Sequence, residues 1–100
     1  MDNYHVRLTA RARRDLEAIY AYISGVFLEP ETAEKMLQAL ETGILSLEQL
    51  PYRCPERRSG AYANKGYRQL FIKSYTILYR IAEEEKQVIV VTVRYSRSSF

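Results

Sequence analysis

The spacing of apolar residues changes along the chain, and each change predicts a different kind of element. Residues Tyr4 to Leu8 alternate between apolar and polar, which predicts a short strand. Two stretches follow in which apolar residues recur every three or four positions, which predicts two amphipathic helices. Thr9 can cap the first helix, and Pro30 suits the first turn of the second. The apolar stripes are Leu16, Ile19, Tyr20, Ile23 and Phe27 in the first helix, and Ala33, Met36, Leu37, Leu40, Ile44 and Leu47 in the second.

Three strands are predicted in the second half of the chain, over residues 68–73, 75–82 and 87–97. The middle strand alternates, with Tyr75, Ile77, Tyr79 and Ile81 on one face and Thr76, Leu78 and Arg80 on the other. The last strand should place Ile89, Val91, Val93 and Tyr95 on one face and Val90, Thr92 and Arg94 on the other.

These elements predict an α+β fold. Short links make the two helices an antiparallel hairpin and make the three later strands antiparallel neighbours. The apolar stripes of the helices must cover the apolar face of the sheet. The predicted architecture is a two-layer sandwich of order β-α-α-β-β-β, with the helical hairpin packed on a small, mostly antiparallel sheet. One hundred residues suit a single domain over residues 1–100.

Charge is distributed unevenly between the two halves. Residues 1–50 carry five basic and eight acidic side chains, whereas residues 51–100 carry ten basic and four acidic ones. Such asymmetry indicates an anionic partner for the second half, although a solvated basic face would look the same. Arg68, Arg80 and Arg97 fall on three consecutive strands, so we expect a cluster of positive charge on the sheet.

The sequence offers little for metal or cofactor chemistry. Cys54 is the single cysteine and His5 the single histidine, so neither an internal disulfide nor a common zinc site is expected. No glycine-rich phosphate loop is present, and no cofactor is predicted. The chain has no long apolar run and no signal-peptide pattern at its N-terminus, which predicts a cytoplasmic protein without membrane contact.

The order of these parts resembles the RelE/ParE superfamily of toxins from type II bacterial toxin–antitoxin pairs. Gly66-Tyr67-Arg68 opens the second strand and Tyr95-Ser96-Arg97 ends the last, and the resemblance covers residues 4–97. In the ribonuclease branch of this superfamily, a basic strand face grips messenger RNA in the ribosome. The resemblance implies that Arg68, Arg80 and Arg97 contact phosphate or another target, for which the planar arginine fork is suited. The alternative is that Arg68 and Arg97 brace the sheet.

RNA cleavage would also require groups that move protons. A tyrosine or histidine commonly follows the strand-end arginine in the ribonuclease branch, but here Ser98, Ser99 and Phe100 follow it. Tyr95 and Lys65 are the remaining candidates, and Tyr95 shares its strand parity with core residues. We expect a structural role for His5.

This departure favours the ParE branch, whose members lack the nuclease residues and act on DNA gyrase. The helical arms, at roughly eighteen residues each, agree with that branch. The expected function is a growth-inhibiting toxin, associated with plasmid stabilisation, that poisons gyrase. The alternative is a ribosome-dependent mRNA endoribonuclease, and a toxin that has lost its activity is a third possibility.

The resemblance also implies a cognate antitoxin that forms a hetero-oligomer with the toxin, in addition to a target, which is either gyrase or the ribosome with its mRNA. We expect the antitoxin to contact the helical hairpin and the basic sheet face, and to mask the arginines or displace the tail around Phe100. Addition of an antitoxin strand to the sheet edge is a further option.

Overall fold

The computed structural model describes residues 3–26 and 29–98, and within them two helices pack on a four-stranded sheet. The elements are β1 (His5–Leu8), α1 (Ala10–Val26), α2 (Pro30–Leu45), β2 (Arg68–Ile72), β3 (Tyr75–Ala82) and β4 (Gln87–Tyr95). Two 3-10 turns, Ser46–Glu48 and Pro51–Arg53, follow α2. The predicted α+β sandwich and its order β-α-α-β-β-β are confirmed.

The strand order in the sheet is β1-β4-β3-β2. β1 runs parallel to β4, whereas β2, β3 and β4 are antiparallel neighbours joined by short turns. A parallel pair needs a long connection between its strands, and the helical hairpin with β2 and β3 provides it between β1 and β4. The N-terminal strand therefore closes one edge of the sheet, and β2 forms the other.

The start of α1 follows the predicted capping. The Thr9 hydroxyl accepts a hydrogen bond from the backbone N–H of Ala12 at 3.1 Å and donates to the carbonyl of Val91 at 3.0 Å. One side chain thus caps the helix and fastens it to β4. Leu16 and Ile23 are buried as the stripe requires, while Phe27 lies outside the described residues.

The core lies between the helical hairpin and one face of the sheet. Leu40, Leu47 and Ile77 are completely buried in it, and such side chains stabilise a fold by about 1.5–3 kcal/mol each. Leu47 belongs to the 3-10 turn that extends α2, so the second stripe continues beyond the helix. The core residues contributed by the sheet are Tyr75, Ile77, Tyr79, Val88, Val90 and Val93.

A β-bulge makes the predicted faces of β4 wrong. Leu78 pairs with Thr92, but the next residue, Tyr79, pairs with Val90, so Val91 is an extra residue in β4. An extra residue reverses the alternation of side chains on the two sides of the bulge. Val88 and Val90 therefore face the helices together with Val93, whereas Ile89 faces away. β4 also ends at Tyr95, two residues earlier than predicted, and β2 ends at Ile72.

Candidate functional site

Arg68 opens β2 on the face that carries the helices. It lies opposite Tyr79, a core residue of β3. Its Nη1 donates hydrogen bonds to the carbonyl oxygens of Cys54 at 2.6 Å and Tyr52 at 3.2 Å. Its Nη2 lies 3.8 Å from the Glu56 carboxylate, and its guanidinium stands 5.1 Å from the centre of the Tyr52 ring. These contacts match the alternative role, in which Arg68 braces the segment that leads into β2.

Arg80 and Arg97 are exposed and lie at opposite ends of the sheet. Arg80 is on the face away from the helices, opposite Ile89 near the start of β4. Arg97 lies in the turn that follows the far end of β4. At about 3.3 Å per strand residue, the two are on the order of 20 Å apart. Neither side chain makes a hydrogen bond or an ion pair with another residue of the described part of the chain.

The expected cluster of three arginines therefore does not form. Arg68 faces the helices, Arg80 faces away from them, and Arg97 is at the other end of the sheet. Arg94 lies on the same face as Arg80, and its Nε approaches the Thr92 hydroxyl at 3.4 Å. A contact of Arg80 or Arg97 with a target remains a prediction for each residue separately.

The two candidates for proton transfer are also far apart. The Tyr95 ring packs edge-to-face on Tyr75, with centroids 5.9 Å apart, and is 45% exposed. Lys65 is exposed in the loop before β2, near Arg68, whereas Tyr95 lies beside the opposite end of the sheet. Tyr95 is remote from Arg80, and the structure does not join Tyr95 and Lys65 into one site.

Glu83, in the turn between β3 and β4, accepts hydrogen bonds from two tyrosines. The hydroxyls of Tyr4 and Tyr52 donate to its Oε1 at 2.7 and 2.8 Å, and the Lys86 ammonium binds its Oε2. The lysine and the two phenols lower the pKa of Glu83 to about 2. The hydrogen bonds to the carboxylate raise the pKa of both tyrosines in return. The cluster ties the N-terminal strand, the second 3-10 turn and the β3–β4 turn together.

An open, mostly apolar groove of about 820 Å³ runs between the helical hairpin and the end of the sheet that carries Tyr95. Three charged residues also line it: Asp15, Glu29 and Arg94. Asp15 accepts hydrogen bonds from the Thr92 hydroxyl and from the backbone N–H of Val93. The apolar lining consists of Ala18, Ile19, Tyr22, Ile23, Met36, Tyr75, Val93 and Tyr95.

The family follows from a comparison of the sequence with known protein families. The model of the ParE toxin family, toxins of type II toxin–antitoxin systems, matches residues 6–100. The chain belongs to the ParE toxin family. It is therefore a toxin of a type II toxin–antitoxin system, and the resemblance to the RelE/ParE superfamily is confirmed.

Solved structures of related toxins share the fold of this ParE-family chain. A chain of the chromosomal ParDE system from P. aeruginosa superposes with a TM-score of 0.77 at 23% identity, over 95% of this chain and 98% of that one. A chain of the RelBE2 toxin–antitoxin complex from Mycobacterium tuberculosis gives 0.69 at 26% identity, over 93% and 98%. The YoeB/ParE toxin from Agrobacterium tumefaciens gives 0.62 at 18% identity, over 91% and 96%. No curated protein sequence matches the chain.

The described part of this ParE-family chain has neither a metal-binding cluster nor a membrane-spanning helix. In residues 3–26 and 29–98, no group of three or more histidine, cysteine or acidic side chains is arranged to hold a metal ion. Over the same residues, no helix is long and apolar enough to cross a membrane.

Sequence reasoning missed the groove and the Glu83 cluster. The sequence signal that could have pointed to the groove is Tyr22, a large aromatic residue that lies off the apolar stripe of α1. In the structure Tyr22 is 56% exposed and lines the groove. The Glu83 cluster left no signal, because its members are contributed by three segments that are far apart in the sequence.

Proposed function

We propose that this ParE-family toxin inhibits bacterial growth by poisoning DNA gyrase, as a binding protein without catalysis of its own. The observation that carries the proposal is the match of the ParE family over nearly the whole chain. ParE toxins act on gyrase, and a gyrase poison needs a recognition surface but no acid–base pair.

The arrangement of the arginines supports the same proposal. Ribonuclease chemistry would need a phosphate grip next to proton-transfer groups, all within hydrogen-bond reach of one substrate. Here Arg68 is committed to backbone carbonyls on the helix side, and Arg97 stands at the far end of the sheet. Tyr95 packs on Tyr75 in the groove wall.

The proposal includes a cognate antitoxin, because the similar RelBE2 chain comes from a toxin–antitoxin complex. The groove between the hairpin and the sheet is the surface that suits it. Its walls are mostly apolar, and it is open to solvent, which fits an amphipathic helix laid in a groove. Asp15 and Glu29 favour basic residues, and Arg94 favours an acidic residue, on the polar border of that helix.

Two alanines of α1 provide a matched test of the groove. Ala18 lines the groove and Ala21 does not, although both are exposed. Ala18→Arg should weaken antitoxin binding by at least about 10-fold, because a buried apolar contact is replaced by a charge. Ala21→Arg should bind as the unmodified toxin does. Equal affinities of the two variants, measured by calorimetry with the purified antitoxin, would place the antitoxin elsewhere.

The target is tested with purified components. The toxin is incubated with DNA gyrase, ATP and plasmid DNA, and in parallel with translating ribosomes and messenger RNA. The proposal predicts accumulation of cleaved DNA in the gyrase reaction, which the antitoxin prevents, and intact mRNA in the ribosome reaction. Cleaved mRNA together with unaffected gyrase would instead establish the ribonuclease alternative.

A further inference from the structure

The side of the sheet that faces away from the helices, hereafter the outer face, carries a row of arginines. Arg7 of β1 and Arg80 of β3 are both register partners of Ile89 in β4. Paired residues of neighbouring strands share a face, so these three side chains lie side by side on the outer face. Neighbouring strands are about 4.8 Å apart, which places the Cα atoms of Arg7 and Arg80 about 10 Å from each other.

Arg57 continues this row on the far side of β2. Its backbone N–H donates to the carbonyl of Tyr67, the residue before β2, at 2.7 Å. Its Nη1 donates to Oε1 of Gln69 at 3.1 Å. Gln69 is on the outer face, because it alternates with the β2 residues that face the core. Arg57 is therefore held over the outer face, two strand spacings or about 10 Å from Arg80.

No carboxylate within the strands balances this row. The four strands contain no aspartate and no glutamate. Glu56 pairs with Arg68 on the helix side. The acids of the β3–β4 turn, residues 83–85, lie beyond the ends of both strands. Asp15 meets β4 at Thr92, toward the other end of that strand. The row is therefore a local excess of positive charge.

The row offers charge without an apolar anchor. Arg7 and Arg80 are exposed, and neither side chain makes a hydrogen bond or an ion pair with another described residue. Ile89 between them is only 4% exposed. Tyr67 is half-buried, and its ring packs edge-to-face on Tyr62 with centroids 5.2 Å apart. Protein interfaces are centred on apolar anchors, and single-stranded nucleic acids are bound by stacking on exposed rings. The row favours neither kind of contact.

We propose that the toxin itself binds the phosphate backbone of duplex DNA on the outer face, with Arg7, Arg57 and Arg80 as the phosphate contacts. The row spans about 20 Å, and duplex DNA carries one negative charge about every 1.7 Å of its axis. Every arginine can therefore meet a phosphate without a particular register. Guanidinium groups suit this contact because they stay charged and bind phosphate oxygens bidentately. Such binding is independent of the base sequence, since no base edge is contacted.

An acidic segment of the antitoxin is the alternative occupant, and the row suits it less well. The segment would need carboxylates at three matching positions about 10 Å apart. Its apolar side chains would find only Phe71 exposed on this face of β2, four residues and about 13 Å along the sheet from Tyr67. The groove assigned to the antitoxin is lined by Tyr95 at the end of β4, whereas Arg7 and Arg80 pair with Ile89 near its start.

Binding of DNA by the toxin goes beyond the proposed function. It would place the toxin beside the DNA that its target cleaves, in addition to any contact with the target protein.

The test measures the binding of a fluorescein-labelled DNA duplex to the purified toxin by fluorescence anisotropy at several salt concentrations. Three phosphate contacts predict a slope of about −2 to −3 for the logarithm of the binding constant against the logarithm of the salt concentration. Arg7→Gln and Arg80→Gln should each weaken binding at low salt by about 5- to 10-fold and make the slope shallower by about 1. Both variants should melt as the unmodified toxin does, because both side chains are exposed.

A matched control removes the same charge from the other layer of the fold. Lys35 is exposed on α2, so Lys35→Gln should fold and bind DNA as the unmodified toxin does. The proposal is overturned if the unmodified toxin does not bind the duplex at low salt, or if Arg7→Gln and Arg80→Gln bind it as tightly as Lys35→Gln.

Two further outcomes would assign the outer face to another partner and would also overturn the proposal. Loss of antitoxin affinity in the two arginine variants, with unchanged binding of DNA, would assign it to an acidic protein segment. Tighter binding of a single-stranded RNA than of the duplex, lost in the same two variants, would assign it to RNA.

The anisotropy assay contains no gyrase, so its outcome is separate from that of the proposed function. A toxin that poisons gyrase but does not bind the duplex keeps the proposed function and loses this inference. A toxin that leaves gyrase unaffected but binds the duplex through Arg7 and Arg80 loses the proposed function and keeps this inference.

Discussion

Replacing Arg68 with alanine should destabilise the toxin, even if Arg68 never touches a target. The part-buried hydrogen bond to the Cys54 carbonyl, at 2.6 Å from a charged donor, contributes about 1.5–3 kcal/mol. The longer bond to the Tyr52 carbonyl and the ion pair with Glu56 are more exposed, and together they add about 1 kcal/mol or less. We expect a loss of about 2–4 kcal/mol in the free energy of unfolding.

Urea and thermal denaturation at neutral pH measure this loss. A change of 1 kcal/mol shifts the melting temperature of a domain of this size by about 4–8 °C, so Arg68→Ala should melt about 10–25 °C lower. Arg68→Lys should fall between the two, because an ammonium keeps the charge but cannot reproduce the planar fork. Arg80→Ala is the matched control, since Arg80 is exposed, and it should change stability by less than about 0.5 kcal/mol.

The comparison of the two alanine variants decides between a brace and a contact residue. If Arg68→Ala is as stable as Arg80→Ala but no longer inhibits growth, the bracing role is refuted and Arg68 acts on the target. If Arg68→Ala is strongly destabilised, any loss of toxicity must first be corrected for the fraction of the variant that is folded. Only the remaining loss can be assigned to a contact between Arg68 and the target.

Two other substitutions test features that the sequence did not predict. The pKa of Glu83 is lowered from 4.5 to about 2 in the folded protein. Between these two pH values the unfolded chain binds a proton that the folded protein does not bind. The free energy of unfolding must therefore fall as the pH falls through that window. Glu83→Gln should remove this part of the pH dependence; equal slopes of melting temperature against pH in both proteins would contradict the lowered pKa that Lys86, Tyr4 and Tyr52 give to Glu83. Gly43→Ala would place a Cβ 2.6 Å from Cδ1 of Ile72, where α2 crosses β2; it should cost about 1–3 kcal/mol, and Ile72→Val in the same chain should restore part of the loss in urea denaturation.

Local patterns in the sequence predicted the elements of the fold well. Thr9 was predicted to cap α1 because its position before an apolar stripe is a local signal, and the hydrogen bond to Ala12 confirms it. The faces of β4 were wrong because a bulge at Val91 depends on how β4 pairs with β3, and the sequence of β4 alone contains no sign of it.

The placement of Arg68 shows both a missed signal and a real limit. Arg68 alternates with Leu70 and Ile72, which face the core, so strand parity could have placed it on the helix side. Its partners could not have been predicted in the same way. The carbonyls of Tyr52 and Cys54 belong to a loop more than a dozen residues earlier, which Tyr79 of β3 also holds through the carbonyl of Pro51.

The conformation of residues 49–54 was beyond prediction for the same reason. The sequence marks only Pro51 and Pro55 as breaks after the second helix. The loop carbonyls accept hydrogen bonds from Arg53, Arg68 and Tyr79, and two of these donors belong to strands far away in the sequence.

The most direct test of the central claim follows DNA, RNA and protein synthesis by pulse labelling after brief induction of the toxin in bacteria that lack the antitoxin. Poisoning of gyrase predicts that DNA synthesis fails first, with double-strand breaks and induction of the SOS response, while protein synthesis continues at early times. Immediate loss of protein synthesis, with transcripts cut at codon boundaries and intact chromosomes, would contradict the account and establish a ribosome-dependent nuclease.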